Sequence, residues 1–310
     1  MNKHIEPKIV VYITCYQDEK SANICIQAIK SQSIKVTAIF IVDNSNIPLL
    51  ISDNINNLIS IKHYPNNVGI AQGLLEALEW SINKKYDFLW TFDQDSIPTV
   101  TCLETLLFNY YQLSQKDHYK VGIIAPTASD IKTGEVVEGA TFFHDHFLGV
   151  KHNPTLDFYE CDAPITSGSL ISLLAAQTIA PPSADLFIDG IDLDYGLRLK
   201  QKGFHNLIVT KAVMFHNFGS PLKVKFMNKR RFLQQYSALR HYYICRNHTY
   251  LETRFSQGYY RFTSVLKRIK YLISSIFWIV IFDPENKYLK IWACLLGTYH
   301  GLQGKLSKNW

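Results

Sequence analysis

The sequence predicts an α/β protein with a mostly parallel central sheet, followed by a mainly helical C-terminal region. Two observations predict this class. Short apolar segments of strand length alternate with longer amphipathic segments over the first 125 residues, which is the rhythm of βαβ units. The chain is 47% hydrophobic and 19% charged, a balance that excludes wholesale disorder and coiled coil.

The predicted elements follow one another without long gaps. Continuous apolar runs such as IVVYIT at 9–14 and FLWTF at 88–92 are typical of strands buried on both faces. Helices are predicted where apolar residues recur at helical spacing, as Ile70, Leu74 and Leu78 do. Strands are predicted at 9–14, 38–42, 60–64, 88–92, 121–125 and 207–214, and helices at 19–30, 69–82, 101–113 and 189–202.

Two stretches are predicted to differ from this α/β part. Residues 127–163 show no period and indicate an insertion or loop region. From Val224 onward the pattern is helical and basic, with few strand signals.

The charge distribution divides the chain near residue 220. Residues 1–220 hold 16 Lys and Arg against 23 Asp and Glu, whereas residues 221–310 hold 16 against 3, so the net charges are −7 and +13. We therefore expect an acidic domain at 1–220 and a basic helical region at 221–310.

The cysteines and the apolar runs indicate a cytoplasmic protein. The six cysteines show no CxxC pair and no regular spacing, so reduced thiols scattered through the core are expected. The N-terminus lacks the apolar region of a signal peptide. The longest apolar run, at 271–282, has 12 residues, which is too short to span a bilayer but long enough to lie on its surface.

Several common nucleotide and hydrolase motifs are missing. No GxGxxG follows the first strand, and neither GxxxxGK[ST] nor GxSxG occurs in the chain. Dinucleotide-dependent dehydrogenases, P-loop enzymes and α/β-hydrolases are therefore disfavoured.

A pair of acids follows the strongly apolar strand at 88–92. Asp93 and Asp95 flank Gln94, and in an extended segment residues two apart point to the same side. The carboxyl ends of strands in open α/β sheets are where ligands bind, and two convergent carboxylates suit Mg²⁺ or Mn²⁺. The alternative is a simple turn, because Asp-x-Asp-Ser followed by Pro98 is also good loop chemistry.

Three further acids lie close together in the segment FIDGIDLDYGLR at 187–198. One interpretation is structural: Asp189 caps a helix, Asp192 occupies its third position, and Asp194 pairs with Arg198 at i,i+4. The other makes one acid, with Asp192 favoured, a general base. His216, just past the strand at 207–214, is either structural or a third metal ligand.

Taken in order, these segments resemble the inverting family-2 glycosyltransferases of the GT-A fold, and most closely the bacterial rhamnosyltransferases of polysaccharide and O-antigen assembly. Each motif is short, and the resemblance depends on eight of them in the family's order. They are VYITCY at 11–16, VDNS at 42–45, NNVGIA at 66–71, DQDS at 93–96, TSGS at 166–169, FIDGID at 187–192, HNFG at 216–219 and YYICRN at 242–247.

The resemblance implies a nucleotide-diphospho-sugar donor, with dTDP-L-rhamnose expected, and a saccharide or lipid-linked saccharide acceptor. It implies Asp192 as the catalytic base and a divalent metal, Mg²⁺ or Mn²⁺, held by Asp93, Asp95 and His216. The implied acceptor residues are Ser167, Gly168, Asp189 and Arg198. The implied donor residues are Thr14, Tyr16, Asp43, Asn67, Gly69, Asp93, Gln94 and Asp95.

Other functions stay open on the sequence alone. The same family includes enzymes with other donor sugars, and a metal-dependent sugar nucleotidyltransferase would also need paired acids, although its Gly- and Lys/Arg-rich triphosphate loop is missing after the first strand. A non-catalytic sugar- or lipid-binding subunit is a third possibility.

The basic C-terminal region is either a solvated helical face or a contact for the anionic inner face of the plasma membrane, where lipid-linked acceptors would be presented. The second interpretation places Lys267, Arg268 and Lys270 at the headgroups, with residues 276–279 (IFWI) in the interface. A nucleic-acid partner is not expected, because no nucleic-acid-binding motif is present and the rest of the chain is acidic.

Overall fold

The computed structural model describes residues 6–51, 58–219, 221–226, 229–307 and 310. The predicted fold class is confirmed: a mixed α/β part with a large central sheet is followed by a helical C-terminal region. The strands are β1 (Ile9–Cys15), β2 (Ala38–Asp43), β3 (Ile59–His63), β4 (Phe88–Asp93), β5 (Ser96–Pro98), β6 (Val121–Asp130), β7 (Val136–Val137), β8 (Ala140–Phe143), β9 (His146–Gly149), β10 (Phe158–Glu160), β11 (Leu170–Ser172), β12 (His205–His216), β13 (Pro221–Phe226) and β14 (Lys229–Gln234). The helices are α1 (Glu19–Lys30), α2 (Gly69–Asn83), α3 (Cys102–Ser114), α4 (Leu173–Ala176), α5 (Ile191–Gln201), α6 (Ala238–Phe255), α7 (Tyr259–Phe282) and α8 (Lys287–Leu302).

The central sheet is built on parallel pairings. Strands β4, β1, β2 and β3 lie side by side and are all parallel, and β6 and β12 form a second parallel pair. Every residue of β1 and β2 is buried, as expected for strands covered on both faces. The register of β1 against β4 places Thr14 opposite Asp93, so the loops that follow these two strands start at the same edge of the sheet.

The short antiparallel strands complete the sheet around the end of β4. Strand β11 lies between β4 and β6 and is antiparallel to both. The three-residue strand β5 pairs with the end of β12, so that Ser96 lies opposite His216. This pairing brings a histidine to the residues that follow β4.

The predicted loop region at 127–163 was wrong in part. Strand β6 continues to Asp130, and four short strands, β7 to β10, follow it. These strands have two to four residues and mostly half-buried side chains, so they lack the buried alternation from which a strand can be read.

The prediction of a mainly helical pattern with few strand signals from Val224 was incomplete. Strands β13 and β14 form an antiparallel hairpin before the first C-terminal helix. Leu222, Val224 and Phe226 alternate with Lys223 and Lys225 in the sequence, which is a period-two signal that the basic composition obscured.

The chain forms two compact units that are interleaved along the sequence. The first comprises residues 1–141, 149–184 and 191–217, and the second comprises residues 142–148, 185–190 and 218–310. The second unit therefore takes in two short segments from the α/β part of the sequence, a division that the charge pattern does not reveal.

Helices α6 and α8 pack closely in the second unit, because glycines face the α6 backbone. A Cβ on Gly297 would lie 2.4 Å from the Tyr242 carbonyl oxygen, and one on Gly301 would lie 2.4 Å from that of Arg246. Tyr242, Tyr243 and Ala293 form a buried apolar cluster at this contact.

All six cysteines are buried free thiols, as predicted. Among the described residues, no helix has both the length and the apolar character that crossing a membrane requires.

Candidate metal and donor site

Asp93, Asp95 and His216 converge at the carboxyl end of β4. Each offers one ligand atom, and the three atoms lie within 4.8 Å of one another. His216 Nε2 is 3.8 Å from Asp93 Oδ2, and His216 Nδ1 is 3.3 Å from Asp95 Oδ1. Two carboxylate oxygens and one imidazole nitrogen are a donor set that fits Mn²⁺ or Mg²⁺. The cluster therefore confirms that the residues expected at the metal site come together.

Two serine hydroxyls form hydrogen bonds with residues of this cluster. Ser96 Oγ hydrogen-bonds His216 Nδ1 at 2.7 Å and Ser167 Oγ at 2.6 Å. Ser167 Oγ also accepts the backbone N–H of Asp93 at 3.0 Å. Ser96 holds Nδ1 of His216, and outer hydrogen bonds of this kind orient metal-binding histidines.

The electrostatics of the cluster favour a bound cation. Burial raises the pKa of Asp95 above the usual Asp value, and the neighbouring Asp93 carboxylate raises it further, while His216 lowers it. A divalent cation would offset the repulsion between the two carboxylates.

Gln94, between the two acids, has its side chain bonded to the loop that follows β1. Its amide oxygen accepts the Tyr16 N–H at 2.7 Å, and its amide nitrogen donates to the Tyr16 carbonyl at 2.9 Å. Its own N–H donates to the carbonyl of Thr14 at 3.1 Å. Thr14 is buried, whereas the Tyr16 side chain is 48% exposed at the sheet edge. Gln94 therefore connects the predicted metal turn at 93–96 to the loop after β1, which is the predicted nucleoside loop.

The other predicted donor residues shape the loops after β2 and β3. Asp43 is buried, and its two oxygens accept the N–H groups of Ser45 and Leu49, both at 2.9 Å. Asn67 Oδ1 accepts the N–H of Gly69 at 2.8 Å, and Gly69 has a φ of +83°, a conformation that suits glycine. These bonds give each residue a structural task, and the predicted contacts of Asp43, Asn67 and Gly69 with donor stay predictions.

The segment TSGS at 166–169 lies next to the metal cluster. Ser167 is buried and bonded to Ser96 and Asp93 as described above. Gly168 has a φ of +83°, and a Cβ there would lie 2.8 Å from Met214 Sδ. Both residues thus support the end of β4, while their predicted role in acceptor binding stays untested.

The acids at 189–194 do not act as one cluster. Asp192, the second residue of α5, is half-buried, and its Oδ1 accepts the N–H of Leu193 at 2.9 Å. Asp194 pairs with Arg198 at 2.7 Å, as predicted, and Arg198 also donates to the carbonyl of Ala180 at 2.6 Å. The prediction that Asp189 caps this helix was wrong: α5 begins at Ile191, and Asp189 instead pairs with Arg240.

The sequence alone does not predict a separate role for Ser96 at this site. The residue follows Asp95 directly, but its pairing with His216 spans 120 positions of the chain and arises from the β5–β12 register. A serine after paired acids is also a common turn residue, so the sequence carries no separate signal for it.

Comparisons with known proteins identify similarities in sequence and in fold. Residues 10–126 match the family model "Glycosyl transferase family 2", a segment that includes Asp93 and Asp95 but ends before Asp192. Among solved structures, the chain is similar to a crystal structure of GalNAc-T7 with UDP, GalNAc and Mn²⁺, at a TM-score of 0.60 and 12% identity. The similarity covers 96% of this chain and 56% of that one.

At this identity the structural similarity shows the fold alone. The chain spans about half the length of the solved structure that it resembles. No curated protein matches the sequence.

Proposed function

We propose that the protein is an inverting glycosyltransferase that moves a sugar from a nucleotide-diphospho-sugar to a saccharide acceptor. The observation that carries this proposal is the convergence of Asp93, Asp95 and His216 at the end of β4, where Asp93 and Asp95 lie within the segment that matches the family model. The chain shares its fold with GalNAc-T7, which was crystallised with UDP, GalNAc and Mn²⁺, and this similarity supports the proposal.

In this proposal Asp93, Asp95 and His216 would hold a divalent cation. Such a cation would supply positive charge that offsets the negative charge of the departing nucleoside diphosphate. Tyr16, which is exposed and whose loop is bonded to Gln94, would contact the nucleoside. Thr14, Asp43, Asn67 and Gly69 would form the remaining wall of the donor site.

Asp192 is the proposed general base. Its carboxylate lies in the first turn of α5, where the partial positive charge of a helix N-terminus favours an ionised acid. The carboxylate would take the proton of the acceptor hydroxyl as the hydroxyl oxygen attacks the anomeric carbon. The bond to the nucleoside diphosphate breaks as the new glycosidic bond forms, so one displacement inverts the configuration. Ser167, Gly168, Asp189 and Arg198 are the proposed acceptor residues.

The donor sugar and the pathway belong to the proposal as well. The order of the eight motifs favours a rhamnosyltransferase that uses dTDP-L-rhamnose in cell-surface polysaccharide assembly. A different donor within the same family would leave the chemistry unchanged.

A panel of nucleotide-sugars tests both points. Thermal shift with Mn²⁺ present is expected to single out the true donor, because a ligand that binds only the folded state raises its stability. Release of a nucleoside diphosphate on adding acceptor supports glycosyl transfer. Release of pyrophosphate would identify a nucleotidyltransferase, and turnover that is undiminished in excess EDTA would remove the metal from the proposal.

We also propose that α7 and α8 contact an anionic membrane surface, and the structure changes which residues would do so. Arg268 is buried against Glu252, Lys267 pairs with Asp145, and Ile279 is buried, so these three are not the contact. Exposed apolar side chains instead recur along both helices at steps of three or four residues. On α7 they are Tyr259, Phe262, Leu266, Ile269, Ile273, Phe277 and Val280, and on α8 they are Tyr288, Trp292, Leu295, Tyr299 and Leu302.

The charge around these stripes favours lipid over a second copy of the chain. Arg261 and Lys270 are exposed on α7, and the only acids between residues 259 and 307 are Asp283, which is buried, and Glu285. Basic and aromatic residues beside an apolar face are typical of helices that lie in a membrane interface.

Vesicle sedimentation with a matched variant tests this surface. Ile273→Ser combined with Trp292→Ser is expected to weaken binding to vesicles that contain anionic phospholipid, whereas Leu174→Ser, at a still more exposed leucine of the first unit, is expected to leave it unchanged. No binding of the wild type at low salt, or concentration-dependent dimerisation that only the double variant abolishes, would contradict the membrane proposal.

A further inference from the structure

The loop that precedes Asp192 has an unusual backbone. Phe187, Asp189 and Gly190 have φ angles of +60°, +65° and +79°. Residues other than glycine seldom adopt positive φ, and a bulky residue such as phenylalanine does so only where its surroundings hold it there. The cause of this conformation should therefore be found in the contacts of the loop.

Asn247, on α6, makes the central contacts. Its side chain is fully buried, and the two N–H groups of its amide are shared among the carbonyls of Leu186 at 2.8 Å, Ile188 at 2.9 Å and Asp189 at 2.8 Å. One amide group thus binds three carbonyls of a loop from which it is separated by about 60 residues.

Arg246 fixes the orientation of that amide. Its Nε donates to Asn247 Oδ1 at 2.9 Å, so the amide nitrogen of Asn247 faces the loop. Its guanidinium also donates to the carbonyl of Asp185, where the loop begins. Arg246 is itself fully buried and stacks on Tyr243 at 4.6 Å from the ring centre.

Arg240 holds the other end of the loop. Its Nε and Nη2 donate to the two oxygens of Asp189 at 3.2 and 3.1 Å, a bidentate pair. Gly190 follows, where a Cβ would lie 3.1 Å from Leu251 Cδ1. All of these contacts lie within the second unit, and the link to Asp192 is the chain itself, because α5 begins directly after Gly190.

We propose that Asn247, oriented by Arg246 and assisted by Arg240, is a positioning residue for Asp192. The loop with these dihedral angles leads directly into α5, and Asp192 is the second residue of that helix. The inference rests on the proposed role of Asp192 as general base. It gives the YYICRN and FIDGID segments one shared task, and it assigns Asp189 to the support of this loop.

Asn247→Asp tests the proposal, because it keeps the acceptor for Arg246 and replaces the donor to the three carbonyls with a carboxylate oxygen. We expect kcat to fall about 10–100-fold, since a misplacement of about 1 Å costs on that order, while the KM for the donor changes less than about twofold. Hydrogen–deuterium exchange at residues 186–193 is expected to rise. An unchanged kcat with unchanged exchange would overturn the proposal.

Arg268→Lys is the matched control, since Arg268 is buried in the same unit but contacts Glu252 and Thr249. It is expected to lower the melting temperature. Exchange at 186–193 is not expected to rise, and kcat is not expected to fall while the KM for the donor stays unchanged. If it reproduces the effects of Asn247→Asp, the loss reflects general destabilisation and the proposal fails. Arg240→Gln, at a partly exposed residue, serves if Asn247→Asp does not fold, with the same pattern expected at smaller size.

The exchange measurement needs no substrate and separates this inference from the proposed function. Absence of sugar transfer by the wild type would refute the proposed function, and the positioning of a catalytic base would fail with it. Sugar transfer by the wild type together with unaltered exchange and kcat in Asn247→Asp would refute the positioning role alone.

Discussion

Two segments of this chain carry closely spaced acids, and they use them in opposite ways. At 93–96 the two carboxylates converge, together with His216, and the pKa of Asp95 is raised by burial and by Asp93. At 189–194 the acids are separated: Asp189 pairs with Arg240 and Asp194 pairs with Arg198. The first segment keeps repulsion that a cation can offset, whereas the second has most of its charge already paired within the protein.

The difference shows how an acid gains a chemical role. Like charges held together without a cationic side chain between them cost free energy that a ligand can recover. Acids that are paired with arginine stabilise a loop or a helix instead. Asp192 lies in the first turn of a helix, between these two paired acids.

The largest effect is expected for Asp192→Asn. Removing a general base lowers the rate by about 10²–10⁴-fold, while donor binding should be nearly unchanged because the donor residues lie elsewhere. Single-turnover sugar transfer and calorimetric binding of the donor measure the two quantities.

Asp194→Asn is the control for that variant, because it alters a neighbouring acid that is paired with Arg198. A wild-type rate in Asp192→Asn, or an equal loss in both variants, would contradict the assignment of the base.

Ser96→Ala tests the support beneath the cluster. Loss of a hydrogen bond that orients a metal-binding histidine typically weakens metal affinity about 10–100-fold. Titration with Mn²⁺ alone measures this, and Ser169→Ala, a buried serine bonded to the Ile165 carbonyl, is expected to bind Mn²⁺ normally. Equal affinities in wild type and Ser96→Ala would remove Ser96 from the site.

Gln94→Leu tests the tie between the metal turn and the nucleoside loop. It removes two hydrogen bonds to Tyr16, each worth about 1 kcal/mol, so we expect the KM for the donor to rise about 30-fold with little change in Mn²⁺ affinity. Gln177→Leu, which removes an amide bonded to the Leu173 carbonyl, is the control and should leave this KM unchanged. An unaltered KM in Gln94→Leu would show that the Tyr16 loop keeps its place without Gln94.

The smallest effect concerns stability and its dependence on pH. The pKa of Asp95 is raised in the folded protein, so the folded state binds more protons than the unfolded state at pH values between the unfolded-state and folded-state pKa of this residue. Ionised Asp95 therefore destabilises the metal-free protein at pH values above this interval. Asp95→Asn should therefore raise the melting temperature at pH 7.5 without metal, and the gap should close as the pH falls below about 4, the ordinary Asp value.

Added Mn²⁺ is expected to reverse that order, because it stabilises the wild type more than the variant. The exposed Asp117→Asn serves as the control, with no expected change. A lower melting temperature for metal-free Asp95→Asn at pH 7.5 would contradict the repulsion described for the cluster.

The sequence was informative where a single segment decides its own structure. The buried strands β1, β2 and β4 are continuous apolar runs, and helix α1 begins and ends at the predicted residues 19 and 30. The position of Asp93 and Asp95 followed from the strand before them, because the edge at which a parallel strand ends is set by its direction.

The sequence was uninformative where structure depends on residues far apart along the chain. The β5 pairing is only three residues long, and the bond from Arg240 to Asp189 joins positions 51 apart. An acid at the start of a helical pattern is equally consistent with a helix cap. The sequence alone therefore could not predict that Asp189 pairs with an arginine of α6. Hydrogen bonds such as those of Asn247 arise only after the helices have packed.

The close packing of α8 on α6 has a practical consequence for protein preparation. Arg246 donates to the carbonyl of Leu306 at 2.8 Å, and Gly301 lies against the backbone of the same arginine. Shortening the chain before Lys287 would uncover Arg246 and take away one acceptor of its guanidinium. A truncated version used to ease expression would therefore test an altered loop at 185–190, and a purification tag is better placed at the N-terminus.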